Sequence, residues 1–321
     1  MKEPIERPLI SIICITYNHE NYIRDALDSF LMQDCKYPYE IVIHDDCSTD
    51  KTAQLIKEYE KKYPTLIRAM YQSVNQYSQG VAINDTFSYP RAQGKYIAYC
   101  EGDDYWIDPK KLEKQAEYME AHPECSLCFH SVKDVRPDKS LIDIYQPFEN
   151  SQIVSMMDLA LSFRTYTFAS FMYRTDYILN PPDFYTKCPV GDVPLLWLMS
   201  SKGNVYFFKE VMGCYRKGVS GSWDQKLWSG DFLPKLEEHM AAMKHMLKEF
   251  NRYSDGKYEE QVKIAEDGRD FELAMAKQDF KQVCDKKYRI FFRQLPQKAR
   301  IGALIGCYLP WLFRLLKGSK G

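Results

Sequence analysis

Three acidic side chains, Glu101, Asp103 and Asp104, crowd one turn in the segment Cys100-Glu101-Gly102-Asp103-Asp104-Tyr105-Trp106. Carboxylates so close together repel one another unless they face open water or surround a cation. Hard oxygen ligands of this kind suit Mg2+ or Mn2+, which keep several waters and combine one or two carboxylates with substrate phosphates. The plainer reading is an acidic turn that caps the helix beginning near Asp108 and Pro109. A second acidic stretch, His44-Asp45-Asp46-Cys47-Ser48-Thr49-Asp50, supplies acceptors for the N3 imino group of a uracil or for ribose hydroxyls. Tyr17, within Thr16-Tyr17-Asn18-His19-Glu20, offers an aromatic face for the base.

Each of these polar segments follows an apolar run. Leu9 to Ile15 is almost uninterrupted, the pattern of a strand covered on both faces in a parallel sheet. Glu40 to His44, Leu66 to Tyr71 and Tyr96 to Cys100 read as further strands. Between the first two, Ile23, Ala26, Leu27, Phe30 and Leu31 recur at helical spacing. Ser48 is the expected N-cap of the next helix, with Asp50 in its first turn ahead of Leu55, Ile56 and Tyr59. Alternating strands and helices predict an α/β fold with a doubly wound, mostly parallel central sheet. Ligands of such sheets bind beyond the carboxyl ends of the strands, where all three polar loops fall.

Beyond a charged helix over Lys110 to Ala121, strand-like runs near Ser126 to Val132, Phe168 to Tyr173 and Val205 to Phe208 read as a second half of the same domain. Leu233, Leu236, Met240, Met243, Leu247 and Phe250 mark the seam of a packed helix. The expected division is a catalytic domain over 1–225, with a nucleotide-binding half over 8–108 and an acceptor half over 125–225, then a helical extension over 226–321.

Here the sequence becomes specific. The series Ile12-Ile13-Cys14-Ile15-Thr16-Tyr17-Asn18, Ala26-Leu27-Asp28-Ser29 with Gln33, Asp45 to Asp50, and Gly94-Lys95-Tyr96-Ile97 leading to Glu101-Gly102-Asp103-Asp104 resembles the family 2 inverting glycosyltransferases of GT-A fold. The resemblance spans about residues 8 to 225. It implies that Tyr17 and Asp46 contact the nucleotide base, and that Glu101 and Asp103 bind the donor. Asp103 and Asp104 would hold Mn2+ or Mg2+ on the donor diphosphate. It further implies a general base at the start of a later helix, which falls on Asp192 in Val190-Gly191-Asp192-Val193-Pro194-Leu195; a helix N-terminus favours its ionised form. Tyr215-Arg216-Lys217-Gly218 resembles the family's Tyr-Arg-x-His loop with glycine in place of histidine, so Arg216 or Lys217 is expected to neutralise the diphosphate. Trp106 and Trp223 are candidate sugar platforms, with packing an equal alternative.

Composition restricts the partners. Lys and Arg number 43 against 44 Asp and Glu, so the net charge is -1 and no global attraction to polyanions is expected. Yet Lys286 to Gly321 holds nine basic residues and no acidic one. Within it, 298–317 is basic and amphipathic. Its longest uncharged stretch, Ile301 to Phe313, is 13 residues, short of the roughly 20 needed to cross a bilayer. Flanking basic residues with Tyr308 and Trp311 suit the membrane interface rather than nucleic acid; a helix docked on the protein's own core and a partner-binding helix are the alternatives. The ten cysteines lie scattered in apolar runs, and no charged-then-apolar leader opens the sequence. The expected location is therefore cytoplasmic, peripheral on the inner face of the cell membrane. Cys125 and Cys128 are expected to be buried thiols, since one CxxC without a second pair is a weak zinc motif.

The expectation is a metal-dependent inverting glycosyltransferase taking a nucleotide-sugar donor, UDP-linked, and a lipid-linked saccharide acceptor. A sugar nucleotidyltransferase is disfavoured because Thr16 to Glu20 lacks the Gly, Lys or Arg that would hold a triphosphate. A nucleotide-sugar-binding scaffold without turnover is the other alternative.

Overall fold

The apolar run at the N-terminus forms β1 (Ile10–Thr16), followed by α1 (Ile23–Leu31), β2 (Tyr39–Asp45), α2 (Thr52–Lys62), β3 (Ile67–Tyr71) and β4 (Tyr96–Tyr99). The structure is a computed structural model that describes residues 7–162, 166–222, 225, 227 and 230–318. After β4 come β5 (Tyr105–Trp106), α3 (Lys111–Ala121), β6 (Cys125–Val135), β7 (Leu141–Tyr145), β8 (Gln152–Val154), α4 (Met156–Leu161) and β9 (Met172–Arg174). Two short helices, of which α5 (Asp183–Thr186) is the second, lead to α6 (Asp192–Lys202) and β10 (Asn204–Arg216).

The strands lie in the order β3-β2-β1-β4-β9-β6-β10-β5, with β7 beside β6 and β8 beside β10. β1 to β4 are mutually parallel. β9 is antiparallel to both β4 and β6, so β6 and its parallel neighbour β10 point the same way as β1. The carboxyl ends of β1, β2, β4 and β10 therefore gather on one edge.

Side-chain alternation along the central strands feeds two cores. Ile13, Val42, Ile97 and Tyr99 point into one, and Ile12, Cys14, Ile41, Ile43 and Ala98 into the other. The second face is covered by α1, α2 and α3, through residues such as Phe30, Ile56 and Leu112. Coverage on both faces explains the apolar runs Ile12 to Ile15 and Ile41 to Ile43. The second cluster also takes in Cys125 and Cys128, both buried thiols as expected.

The first core does not stop at residue 225. α7 (Phe232–Tyr253) and α8 (Glu259–Lys277) insert Met246, Leu247, Phe250, Val262 and Ala265 among Leu195 to Met199 of α6. α6 is consequently apolar all round, with Pro194 to Met199 buried. Two more short helices, α9 (Phe280–Val283) and α10 (Arg289–Gln294), precede α11 (Gln297–Tyr308) and α12 (Pro310–Gly318). Pro310 divides the apolar tail into these two helices, since it offers no backbone donor.

The tail packs on the protein along one side only. On one side Ala303 is buried, Gly306 lies directly against the Phe280 ring, and Phe280 meets Phe313 edge-on at 4.7 Å. On the other, Ile301, Leu304, Tyr308, Trp311, Leu315 and Leu316 are exposed. No helix among the described residues is long and apolar enough to cross a membrane.

Candidate active site

Three loops meet at the shared edge, tied by backbone. The N–H of Asp46 donates to the carbonyl of Thr16 (3.0 Å), and that of Gly102 to the carbonyl of Ile15 (3.0 Å). Asn18 and the second loop are laced twice, the Asn18 N–H donating to Ser48 Oγ (2.9 Å) and the Thr49 N–H to Asn18 Oδ1 (2.7 Å). Asn18 and Cys47 both adopt left-handed backbone, with φ of 56° and 65°. Such conformations persist in L-residues only where surrounding bonds impose them. Ser48 thus tethers the first loop and does not cap α2; Asp50, just ahead of the helix, accepts the Thr52 N–H at 2.9 Å.

At the end of β4 the acidic turn converges. Glu101, Asp103 and Asp104 each offer an oxygen within 4.8 Å of the others. Burial, reinforced by Asp103 and then Asp192, pushes the Glu101 carboxyl up to about 8. Asp104 is only 2% exposed, and burial together with Asp103 raises its carboxyl as well. A divalent cation fits this oxygen donor set, and Asp103 and Asp104 with Glu101 are the residues that would hold it.

Arg216, at the end of β10, closes the turn from behind. Its N–H donates to Asp104 Oδ1 at 2.8 Å, and its guanidinium donates to the Asp103 carbonyl and to the Asp25 carboxylate on α1. The guanidinium is fully buried, with Tyr22 and Tyr105 ring centroids 4.9 Å and 4.7 Å away. Arg216 is therefore committed to the protein and not presented to a diphosphate, contrary to expectation. Lys217 is half-buried and pairs with the buried Asp134 at 2.9 Å. Gly218 follows with φ of +78°, a conformation that favours glycine over the histidine of the resembling motif.

On the other flank Tyr17 is 42% exposed, free to present its ring. Asp46 differs from the expectation. It is 1% exposed, and its two oxygens accept the N–H groups of Gln76 (2.7 Å) and Tyr77 (3.0 Å). In this state Asp46 shapes the loop beyond β3 rather than offering a free acceptor.

Asp192 is the first residue of α6, and its Oδ1 accepts the adjacent Val193 N–H at 2.8 Å. The helix end does not win here: burial dominates and pushes the carboxyl up to about 6. Its charge is among those that raise the Glu101 carboxyl. Trp106 is no sugar platform. It is 1% exposed, donates from Nε1 to the Ala169 carbonyl (2.8 Å), packs on Phe30 and carries the Lys111 ammonium over its ring. Trp223 lies outside the described residues.

Two participants escaped sequence reasoning. His19 brings Nε2 within 3.9 Å of Asp103 Oδ2. Asp25, on the partly exposed face of α1, holds Arg216 from 191 residues away. His19 was visible as the imidazole of the first polar loop, whereas no local pattern distinguishes Asp25 from an ordinary surface acid.

Solved structures share this fold. The structure of Staphylococcus aureus TarS 1–349 in complex with UDP-GlcNAc superposes with a TM-score of 0.63 at 18% identity, covering 93% of this chain and 81% of that one. A mannosyltransferase from Pyrobaculum calidifontis, in complex with GDP-Man and Mn2+, gives 0.54 at 15% identity over 96% and 91%. The fold is thus GT-A, an α/β class built around a mostly parallel sheet. Residues 11–178 match the family described as glycosyl transferase family 2, and the chain belongs to that family. An uncharacterized protein of Mycobacterium tuberculosis is 36% identical over 218 residues, 67% of this chain and 60% of its own length. The chain thus spans about 60% of the length of the curated relatives it matches first.

Proposed function

We propose that the chain moves a sugar from a nucleotide diphosphate donor, UDP-linked, to an acceptor hydroxyl with inversion at the anomeric carbon. The observation that carries this reading is the convergence of Glu101, Asp103 and Asp104 within 4.8 Å, at the sheet edge that also bears Tyr17 and in electrostatic reach of Asp192. Tyr17 stacks on the base. Glu101 and Asp103 orient the donor, and Asp103 and Asp104 hold Mn2+ or Mg2+. When bound, the ion stabilises the charge that develops on the departing diphosphate. Asp192 takes the proton from the acceptor hydroxyl as that oxygen attacks. A carboxyl near 6 is suited to this, because it is largely ionised at neutral pH yet more basic than an ordinary aspartate. Arg216 shapes the site from behind, and Lys217 can meet phosphate only by leaving Asp134.

The acceptor is a lipid-linked saccharide of surface polysaccharide assembly, met at the inner face of the cell membrane. Support comes from the exposed Tyr308, Trp311 and Leu315 beside the exposed Arg314, a composition suited to the interface of anionic lipid. A relative's name supports only the polymeric character of the acceptor: TarS of Staphylococcus aureus is a poly(ribitol-phosphate) beta-N-acetylglucosaminyltransferase. Incubation with UDP-sugars and Mn2+, with and without a saccharide acceptor, tests the proposal by UDP release. Release that depends on acceptor, metal and Asp192 is the expected result. Tight donor binding with no release under any condition would leave a binding scaffold as the better description.

A further inference from the structure

Arg216 stands beside three carboxylates and yet spends its charge elsewhere. Its backbone holds the Asp104 carboxylate, and its guanidinium holds only the carbonyl of Asp103, while the ion pair goes to Asp25. Asp25 is anchored in turn by α1 and by Lys139, from the turn between β6 and β7, whose Nζ donates to its other oxygen at 2.7 Å. A fully buried guanidinium does not stay unpaired, because removing an isolated charge from water is strongly unfavourable. Deprived of Asp25, it is left against the Asp103–Asp104 turn, which Arg216 already touches at the Asp103 carbonyl and the Asp104 carboxylate.

We propose that Asp25 and Arg216 form a positioning pair that fixes the Asp103–Asp104 turn while keeping the guanidinium from occupying the cation's place. The inference rests on the metal-binding reading of the acidic turn. It assigns Asp25 to the site although Asp25 touches neither donor nor ion. Outer residues of this type set metal affinity through the ligands they orient, with losses of roughly 10- to 100-fold on replacement.

The test is titration of Mn2+ into the full chain, with and without UDP, following the electron paramagnetic resonance signal of free Mn2+. Asp25→Asn is expected to weaken Mn2+ binding at least about tenfold and to raise the Mn2+ concentration needed for half-maximal activity, with kcat at saturating Mn2+ much less changed. Lys139→Met removes the other partner of Asp25 and should leave Mn2+ affinity within about twofold, since Arg216 keeps its ion pair. Arg216→Lys retains the charge but cannot reach both acceptors, so it should resemble Asp25→Asn. Should Asp25→Asn fail to fold, Asp25→Ser, which likewise removes the charge, is measured against the same threshold. A folded Asp25 variant with native Mn2+ affinity overturns this inference alone. A wild-type chain that takes up no Mn2+ in either condition overturns the metal reading together with it.

Discussion

Gly102 lies so close to Thr16 that a Cβ on the glycine would come within 2.6 Å of the threonine hydroxyl oxygen and 2.8 Å of its Cβ. The acidic turn therefore reaches the first loop only because position 102 has no side chain. Thr16 is buried and β-branched, with little freedom to move aside. Gly102→Ala should lower stability by about 1–3 kcal/mol and separate the two loops. Thermal unfolding and Mn2+ titration on the same preparation check both effects; a variant that keeps native stability and affinity would show that the approach is not needed.

The raised carboxyl of Asp192 makes a pH prediction. A base must be ionised, so kcat/KM should climb as pH rises through about 6 and level off above it. Asp192→Asn should reduce turnover by a factor on the order of 10^2 to 10^4 and leave nucleotide affinity close to native. A pH profile flat between 5 and 8 would remove Asp192 from the proton transfer.

Glu101 carries a stability signature of opposite sense to its usefulness. Its folded-state carboxyl is raised to about 8, so the metal-free fold favours the protonated form. That contribution is complete at low pH and is lost as pH rises from the ordinary glutamate range through about 8. Glu101→Gln removes the loss, and the metal-free variant should be the more stable protein at pH 8 by an amount on the order of a few kcal/mol. It should at the same time bind Mn2+ and donor more weakly. Calorimetry at pH 5 and pH 8 reads the first effect; an identical pH dependence in variant and wild type would contradict it.

The tail supplies a prediction independent of catalysis. Full-length chain should sediment with vesicles containing anionic lipid at low salt and release at high salt. Replacing Arg300 and Arg314 with Gln should cost about 1 kcal/mol each, and Trp311→Ser should weaken binding further. Indifference of binding to lipid charge would detach the tail from the membrane surface.

Much of this protein was determined by sequence alone, because the signals were local. Uninterrupted apolar runs mark β1, β2 and β4 since both sheet faces are covered, and the periodic Ile23, Ala26, Leu27 and Phe30 mark α1 since only one of its sides is. The turn from Glu101 to Asp104 and the exposed Tyr17 were legible for the same reason. The tertiary structure decided what depends on residues far apart in the chain. It turned Arg216 toward Asp25, spent Asp46 on Gln76 and Tyr77, and buried Trp106 beneath Phe30 and Lys111. It also reversed the balance at Asp192, where a helix end visible in the sequence favours the charged form but desolvation favours the neutral one. Charge and hydrogen-bonding capacity belong to residue types, but which partner satisfies them, and how much water is left around them, is settled only when distant segments pack.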